Sequence, residues 1–150
     1  RYFFGRLETE FARAKRYNYP LSIVIMDIDD FKGINDRLGH QQGDTVLKGL
    51  SQILREQTRT TDLWARYGGE EFIGYLPHCG KDEAYKLAER IRKIVEGYSF
   101  SGMDEGTLTI SLGVAYYPHP EVETLDDLVG IADGLLYTAK GTGKNRVMVG

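Results

Sequence analysis

The chain has a single cysteine, Cys79, among its 150 residues. That excludes an internal disulfide and any zinc site built from several cysteines. No apolar run approaches the ~20 residues that a membrane-spanning helix needs, and no secretory leader is visible. A cytoplasmic location is the expectation, with no membrane contact by this domain. The formal net charge is only −3, so no global field of either sign favours a nucleic-acid polymer. A small anionic ligand could still be held by a local basic cluster. His40, His78 and His119 lack metal-ligand spacing. Repeats, low-complexity tracts and composition shifts are also missing. Residues 1–150 therefore read as a single domain, large enough to bury roughly 70% of its unfolded surface.

What is present is a series of periodic segments. Residues 2–17 place Phe3, Phe4, Leu7, Phe11 and Ala14 at helical spacing, and Pro20 ends the pattern. Residues 21–26 are almost continuously apolar, as in a strand buried on both faces, and they run out into Asp27, Asp29 and Asp30. The glycines that follow, Gly33, Gly39 and Gly43, read as turns. Asp44 then reads as the cap of a helix carrying Val46, Leu47, Leu50, Ile53 and Leu54 on one face. Two strand-like stretches, 63–67 and 72–76, flank Gly68-Gly69, which suits a two-residue hairpin turn with positive φ. Residues 81–96 form the clearest amphipathic helix. Residues 97–106 read as a loop and 107–115 as a half-buried strand. Thr124 and Asp127 resemble a capping box for the last helix, and 146–149 reads as a short terminal strand. The fold class is α+β, with a ferredoxin-like β-α-β-β-α-β core, an extra N-terminal helix and an extra C-terminal helix and strand.

This topology makes the first strand and the second hairpin strand antiparallel neighbours, about 4.8 Å apart. Asp27 then comes beside Glu70. Carboxylates that close repel unless a positive charge lies between them, and Mg²⁺ or Mn²⁺ prefers such oxygen ligands. Strand alternation sends Glu70 and Glu71 to opposite faces. Glu70 is then the metal ligand, and Glu71 has no settled role. Gly68 and Gly69 leave room for a bulky ligand near the backbone. Residue-level alternatives stay open here: solvated acids at a strand end, Lys140 and Lys144 as favourable charges at a helix C-terminus, and Asn35 and Asp44 as turn and cap residues. The string Gly141-Thr142-Gly143-Lys144 is not a phosphate loop. It follows a helix and lacks the required gap between glycines.

The motifs in order are Met26-Asp27-Ile28-Asp29-Asp30-Phe31-Lys32, Ile34-Asn35-Asp36, Gly39-His40, Gly43-Asp44, Arg66-Tyr67-Gly68-Gly69-Glu70-Glu71-Phe72, Thr109-Ile110-Ser111-Leu112-Gly113-Val114, Ala132-Asp133, Tyr137-Thr138-Ala139-Lys140 and Lys144-Asn145-Arg146. With this set the chain resembles a GGDEF-domain diguanylate cyclase, a palm- or nucleotide-cyclase-like fold, in its Gly-Gly-Glu-Glu-Phe variant. The resemblance implies that two GTP molecules condense into cyclic di-GMP across a homodimer, with Mg²⁺ or Mn²⁺, two per active site. It makes Asp27, Glu70 and Lys32 catalytic and makes Asp27, the Ile28 carbonyl and Glu70 metal ligands. Substrate binding falls to Asn35 and Asp44 at the guanine, Gly68 and Gly69 at the turn, and Lys32, Lys140 and Lys144 at the phosphates. Lys144 stands where the family usually has arginine, which loses the two-pronged donor geometry. Arg59 and Asp62, five residues before the glycine pair, match the family's inhibitory product site, with Arg90 as a third member. The family's leading segment before Arg1 is absent, so a longer parent protein with an upstream sensory or dimerising domain is expected. Two other readings remain: a non-catalytic module that senses GTP or cyclic di-GMP, and a related nucleotidyltransferase or relaxed cyclase making mixed dinucleotides.

Overall fold

The computed structural model describes residues 2–100 and 103–150. The elements run α1 (Tyr2–Tyr17), β1 (Leu21–Ile28), α2 (Phe31–Leu38), α3 (His40–Gln57), β2 (Leu63–Arg66), β3 (Glu71–Pro77), α4 (Lys81–Glu96), β4 (Ile110–Tyr117), α5 (Leu125–Gly141) and β5 (Val147–Val149). They build one five-stranded sheet in the order β2-β3-β1-β4-β5. The first four strands pair antiparallel, and β5 joins β4 in parallel. The β2-β3-β1-β4 portion is the ferredoxin-like core, and α1, α5 and β5 are the additions.

Strand alternation sorts the core into two layers. Leu21, Ile23 and Ile25 of β1 and Ile73 and Tyr75 of β3 pack under α1 and α5, against Leu7, Phe11, Ala132 and Leu136. Val24, Met26 and Ile28, with Phe72, Leu76 and Leu112, face α3 and α4 through Leu50, Leu54, Ala88 and Ile91. β1 is thus covered on both sides, which accounts for its unbroken apolar run. The α5 capping box forms in full: Thr124 Oγ1 accepts from the Asp127 N–H at 3.2 Å, and the Asp127 carboxylate accepts from the Thr124 N–H at 3.0 Å.

Three local expectations are corrected. Residues 31–57 are two helices, with Gly39 at φ 91 as the joint between them. Gly43 and Asp44 therefore lie inside α3, and Asp44 is not its cap. Gly43 is glycine because a Cβ there would overlap Asn35 Oδ1. The hairpin connection is four residues, 67–70, closed by the Tyr67 and Gly68 N–H groups donating to the Glu71 carbonyl at 2.8 and 3.5 Å. Gly68 and Gly69 keep negative φ there, so the turn does not need them for backbone conformation. The strand expected over 107–115 is shifted to Ile110–Tyr117. Part of the loop expected over 97–106, Ser101 and Gly102, lies outside the described residues.

Candidate active site

Three segments meet where β1 leaves the sheet. β1 ends at Ile28, and Asp30 takes a left-handed conformation, φ 54, that turns the chain into α2. The 67–70 connection lies beside it, and the Ile28 N–H donates to the Glu70 carbonyl at 3.2 Å. The C-terminal turn of α5 brings Lys140 in from the other side.

The register decides which acids face each other. Asp27 stands directly opposite Glu71, and cross-strand partners project from the same face of a sheet. Glu71 is therefore on Asp27's face, the side of α5, contrary to its expected separation from the acid pair. Glu70, one residue before β3, still acts on Asp27. Burial is the main cause pushing Asp27 up to about 6; Lys140 opposes the shift, and Glu70 and Glu71 both add to it. Burial likewise raises Glu71, helped by Asp133 on α5 and by Glu70. Three carboxylates thus converge with too little positive charge to balance them.

Lys140 supplies what neutralisation there is. Its Nζ donates to Asp29 Oδ1 at 2.9 Å and to the Ile28 carbonyl at 3.2 Å. It lies 3.5 Å from Asp27 Oδ1, an ion pair too long to satisfy that oxygen, which is buried without a hydrogen-bond partner. Asp29 is the anchor of the cluster. Besides Lys140, it accepts from Thr109 Oγ1 and Ser111 Oγ, both at 2.7 Å, and from the Asn145 N–H at 3.0 Å. Burial by itself would raise Asp29, but these hydrogen bonds outweigh it and hold its carboxyl below the usual range. Sequence reasoning assigned no role to Asp29, Thr109, Ser111, Asn145 or Asp133. All five stand in the motifs that carry the family resemblance, but nothing local ties them together: the partners of Asp29 lie 80 to 116 positions away in the chain.

The remaining expected site residues fall in several places. Asn35 lies on α2 against α3, its Oδ1 buried and unpartnered. Asp44 is exposed on α3, one turn after its start. Lys32 is exposed in the first turn of α2, and Lys144 is exposed just past α5 with φ 62; neither makes a side-chain bond to the acid cluster. A Cβ on Gly69 would meet nothing within 4 Å, so space is open above the turn. Arg59 and Asp62 form a closed turn, with Arg59 Nη2 donating to Asp62 Oδ1 at 3.0 Å and to the Pro77 carbonyl at 2.6 Å. Arg90 joins them around a small pocket of about 170 Å³ that also includes Gln57, Cys79 and Glu83. Its guanidinium is held by the Gln57 side chain and carbonyl, each at 3.0 Å. This pocket sits at the Pro77 end of β3. The acid cluster is at the Glu71 end, six residues or about 20 Å away.

The donor set suits a hard cation. It offers an orphaned Asp27 oxygen, the Ile28 carbonyl and two glutamates, all oxygen. Among the described residues, no three His, Cys, Asp or Glu side chains already stand at metal-holding geometry. Magnesium needs only one or two carboxylates when substrate phosphates complete its sphere, so the residues fit.

The fold and this acid-lined strand end define a nucleotide-cyclase type of domain. Residues 1–146 match the family described as diguanylate cyclase, GGDEF domain. The chain is 42% identical over 141 residues to diguanylate cyclase DosC of Escherichia coli, covering 92% of this chain and 30% of that protein. An active GGEEF domain of a diguanylate cyclase from Vibrio cholerae superposes with TM-score 0.91 at 35% identity, over 97% of this chain and 92% of that one. The GGDEF domain of DgcB from Caulobacter crescentus, solved in complex with c-di-GMP, superposes with TM-score 0.90 at 32% identity, over 98% and 87%. The chain belongs to the GGDEF family and is a diguanylate cyclase domain. It spans about a third of the length of the curated relatives it matches. Among the described residues, no helix is long and apolar enough to cross a membrane.

Proposed function

We propose that the domain condenses two GTP into cyclic di-GMP and two pyrophosphates, with one GTP presented by each subunit of a homodimer. In each of the two steps, the 3′-oxygen of one GTP bonds to the α-phosphorus of the other. The bond from that phosphorus to pyrophosphate breaks, and the hydroxyl proton leaves to water. Asp27, the Ile28 carbonyl and Glu70 would hold Mg²⁺ or Mn²⁺, and two such ions are proposed per site. When bound, such ions would lower the pKa of the attacking hydroxyl and stabilise the leaving pyrophosphate, contributing several kcal/mol.

The chain's own residues do the positioning. Asn35 and Asp44 receive the guanine, where Asp44 can accept from the base's N–H groups. Lys32 and Lys144 are free to meet phosphate oxygens, and the N-terminus of α2 beside Lys32 favours an anion. Lys140 is committed to Asp29 and Ile28, so its proposed phosphate contact would be made from that anchored position. Gly68 and Gly69 keep the approach to the turn clear. Arg59, Asp62 and Arg90 are proposed to bind the product and limit its synthesis; the c-di-GMP complex of the DgcB domain supports a product site in this fold. The domain is further proposed to work in the cytoplasm, under an upstream sensory domain of a longer protein.

The observation that carries this reading is the buried Asp27 oxygen, without a hydrogen bond and balanced only by Lys140 at 3.5 Å, among carboxylates at the mouth of the 67–70 turn. The test is to incubate the purified protein with GTP and Mg²⁺ and identify products by mass. Cyclic di-GMP with pyrophosphate is expected, and intact bound GTP would overturn the reading in favour of a sensor. A mixed dinucleotide formed with ATP present would favour a relaxed cyclase. Asp27→Asn or Glu70→Gln is expected to slow synthesis on the order of a thousandfold, about 4 kcal/mol of transition-state stabilisation, without loss of folding.

A further inference from the structure

The link between α5 and β5 carries backbone strain. Gly143, Lys144 and Asn145 take positive φ in succession, at 133, 62 and 46. Glycine adopts such angles freely, and asparagine tolerates them through its short polar side chain. Lysine has neither advantage. Strained residues persist only where their surroundings over-determine them, and they gather at functional sites.

Here the surroundings centre on Asn145. Its side-chain amide donates to Glu96 Oε2 at 2.6 Å, and its Oδ1 accepts from Arg92 Nη1 at 2.9 Å. Both partners belong to α4. Its backbone N–H donates to Asp29 Oδ2 at 3.0 Å. α4 packs on one face of the sheet and α5 on the other, so Asn145 joins the two layers around the sheet end that holds the acid cluster. Arg92 is itself fixed, with a side chain only 13% exposed that pairs with both Glu89 and Glu96.

This arrangement holds the backbone of Lys144 from three sides. Its N–H donates to the Ala139 carbonyl at 3.0 Å, next to Lys140. Its carbonyl accepts from Arg146 Nε at 3.0 Å, and the N–H that follows is the one committed to Asp29. The residue is exposed, and its ammonium has no hydrogen bond or ion pair among the described residues. A lysine side chain is a flexible stem, so its reach is set by where the backbone places Cα and Cβ. We propose that Asn145 is a positioning residue for phosphate binding. Clamped by Arg92 and Glu96, it holds Lys144 in the left-handed conformation from which the ammonium meets the triphosphate of GTP. Asn145 itself touches no substrate atom. This role rests on the reading of Lys144 as a phosphate ligand and adds what fixes that ligand in place.

The test is calorimetric titration of the purified protein, in Mg²⁺, with the non-hydrolysable analogue guanosine 5′-[α,β-methylene]triphosphate. Asn145→Gly keeps the backbone conformation accessible but removes the clamp, and it leaves Arg92 with both of its glutamates. Its unfolding midpoint in denaturant should match the parent's, while the analogue's Kd rises about tenfold, the loss of one charge-assisted contact. Lys144→Ala should weaken binding about as much. The double variant should bind about as weakly as either single one, because Asn145 acts through Lys144; independent action would multiply the losses to about a hundredfold. The proposal is overturned by parent-like affinity in Asn145→Gly, by parent-like affinity in Lys144→Ala, or by multiplied losses in the double variant. It is also overturned if Asn145→Gly lowers the unfolding midpoint while its folded fraction binds at parent affinity, as a purely structural clamp requires. Product formation from GTP is a separate measurement. A protein that makes cyclic di-GMP without the Asn145–Lys144 coupling sinks only this role, and one that shows the coupling but makes no product sinks only the cyclase reading.

Discussion

Asp27 carries opposing demands of stability and chemistry. Its carboxyl is pushed up to about 6, first by burial and then by the two glutamates. The folded state therefore binds a proton more tightly here than the unfolded chain does. Stability from this group is full below about pH 4 and is lost as pH rises towards about 6. Asp27→Asn removes the unfavourable charge. The variant should match the parent in denaturant unfolding near pH 4 and exceed it at pH 7 by on the order of 1–3 kcal/mol, from a shift of about two pKa units. Equal stability at both pH values would show that Lys140 already compensates the charge. Gains of this kind are common where a site is strained for function. Asp29, two residues on, is the reverse case: its four hydrogen bonds make it a fixed structural acid, and this assignment was invisible until the fold brought Thr109, Ser111 and Asn145 to it.

Among the elements, two glycines have opposite consequences. Gly113 lies where α5 crosses β4, and a Cβ there would overlap the Ala132 carbonyl oxygen and the Leu136 nitrogen. Both are backbone atoms, so the helix would have to lift away. Gly113→Ala should cost about 2–3 kcal/mol in chemical denaturation. Gly43 in α3 meets side chains rather than backbone: a Cβ there would overlap Asn35 Oδ1 and lie 3.2 Å from Phe31 Cζ, a tight contact that the ring has to yield by a few tenths of an ångström. Alanine is the better helix former by roughly 0.5–1 kcal/mol, so Gly43→Ala should keep near-normal stability while swinging Asn35 aside. Its expected signature is a KM for GTP raised about tenfold, the loss of one good hydrogen bond, with kcat less affected. A Gly43→Ala enzyme with unchanged KM would remove Asn35 from guanine recognition. The helical periodicities of α1, α4 and α5 were legible in the sequence because amphipathic stripes are local. The α2–α3 break was not, because Gly39 and Gly43 look alike in sequence and only the packing of α2 on α3 separates a joint from a close approach.

On the scale of the whole molecule, the two proposed nucleotide sites lie at opposite ends of β3. Feedback from Arg59 to the acid cluster then has to travel along that strand or act by holding subunits apart. The two routes differ in kinetics. Synthesis across a homodimer should rise more steeply than linearly with protein concentration when the dimer is weak. Added cyclic di-GMP should suppress that rate in the parent and much less in Arg59→Ala, with affinity lost by at least tenfold in direct titration. Unchanged affinity would reduce Arg59 and Asp62 to a structural turn, a role their bonds to each other and to Pro77 could fill without any ligand.

The sequence alone determined the strand and helix order and, through it, that the end of the first strand lies beside the glycine hairpin. Apolar periodicity and turn residues act over a few positions and can be read there directly. It also held the order of motifs that places the chain in its family. Tertiary structure decided which face Glu71 takes, why Asp29 is buried, and how far Asp27 is displaced in pKa. Each depends on strand register or on desolvation by residues distant in the chain, and neither leaves a local pattern. The acids around residues 27 and 70 could be foreseen as neighbours, but their electrostatic balance was set only when Lys140 arrived from α5.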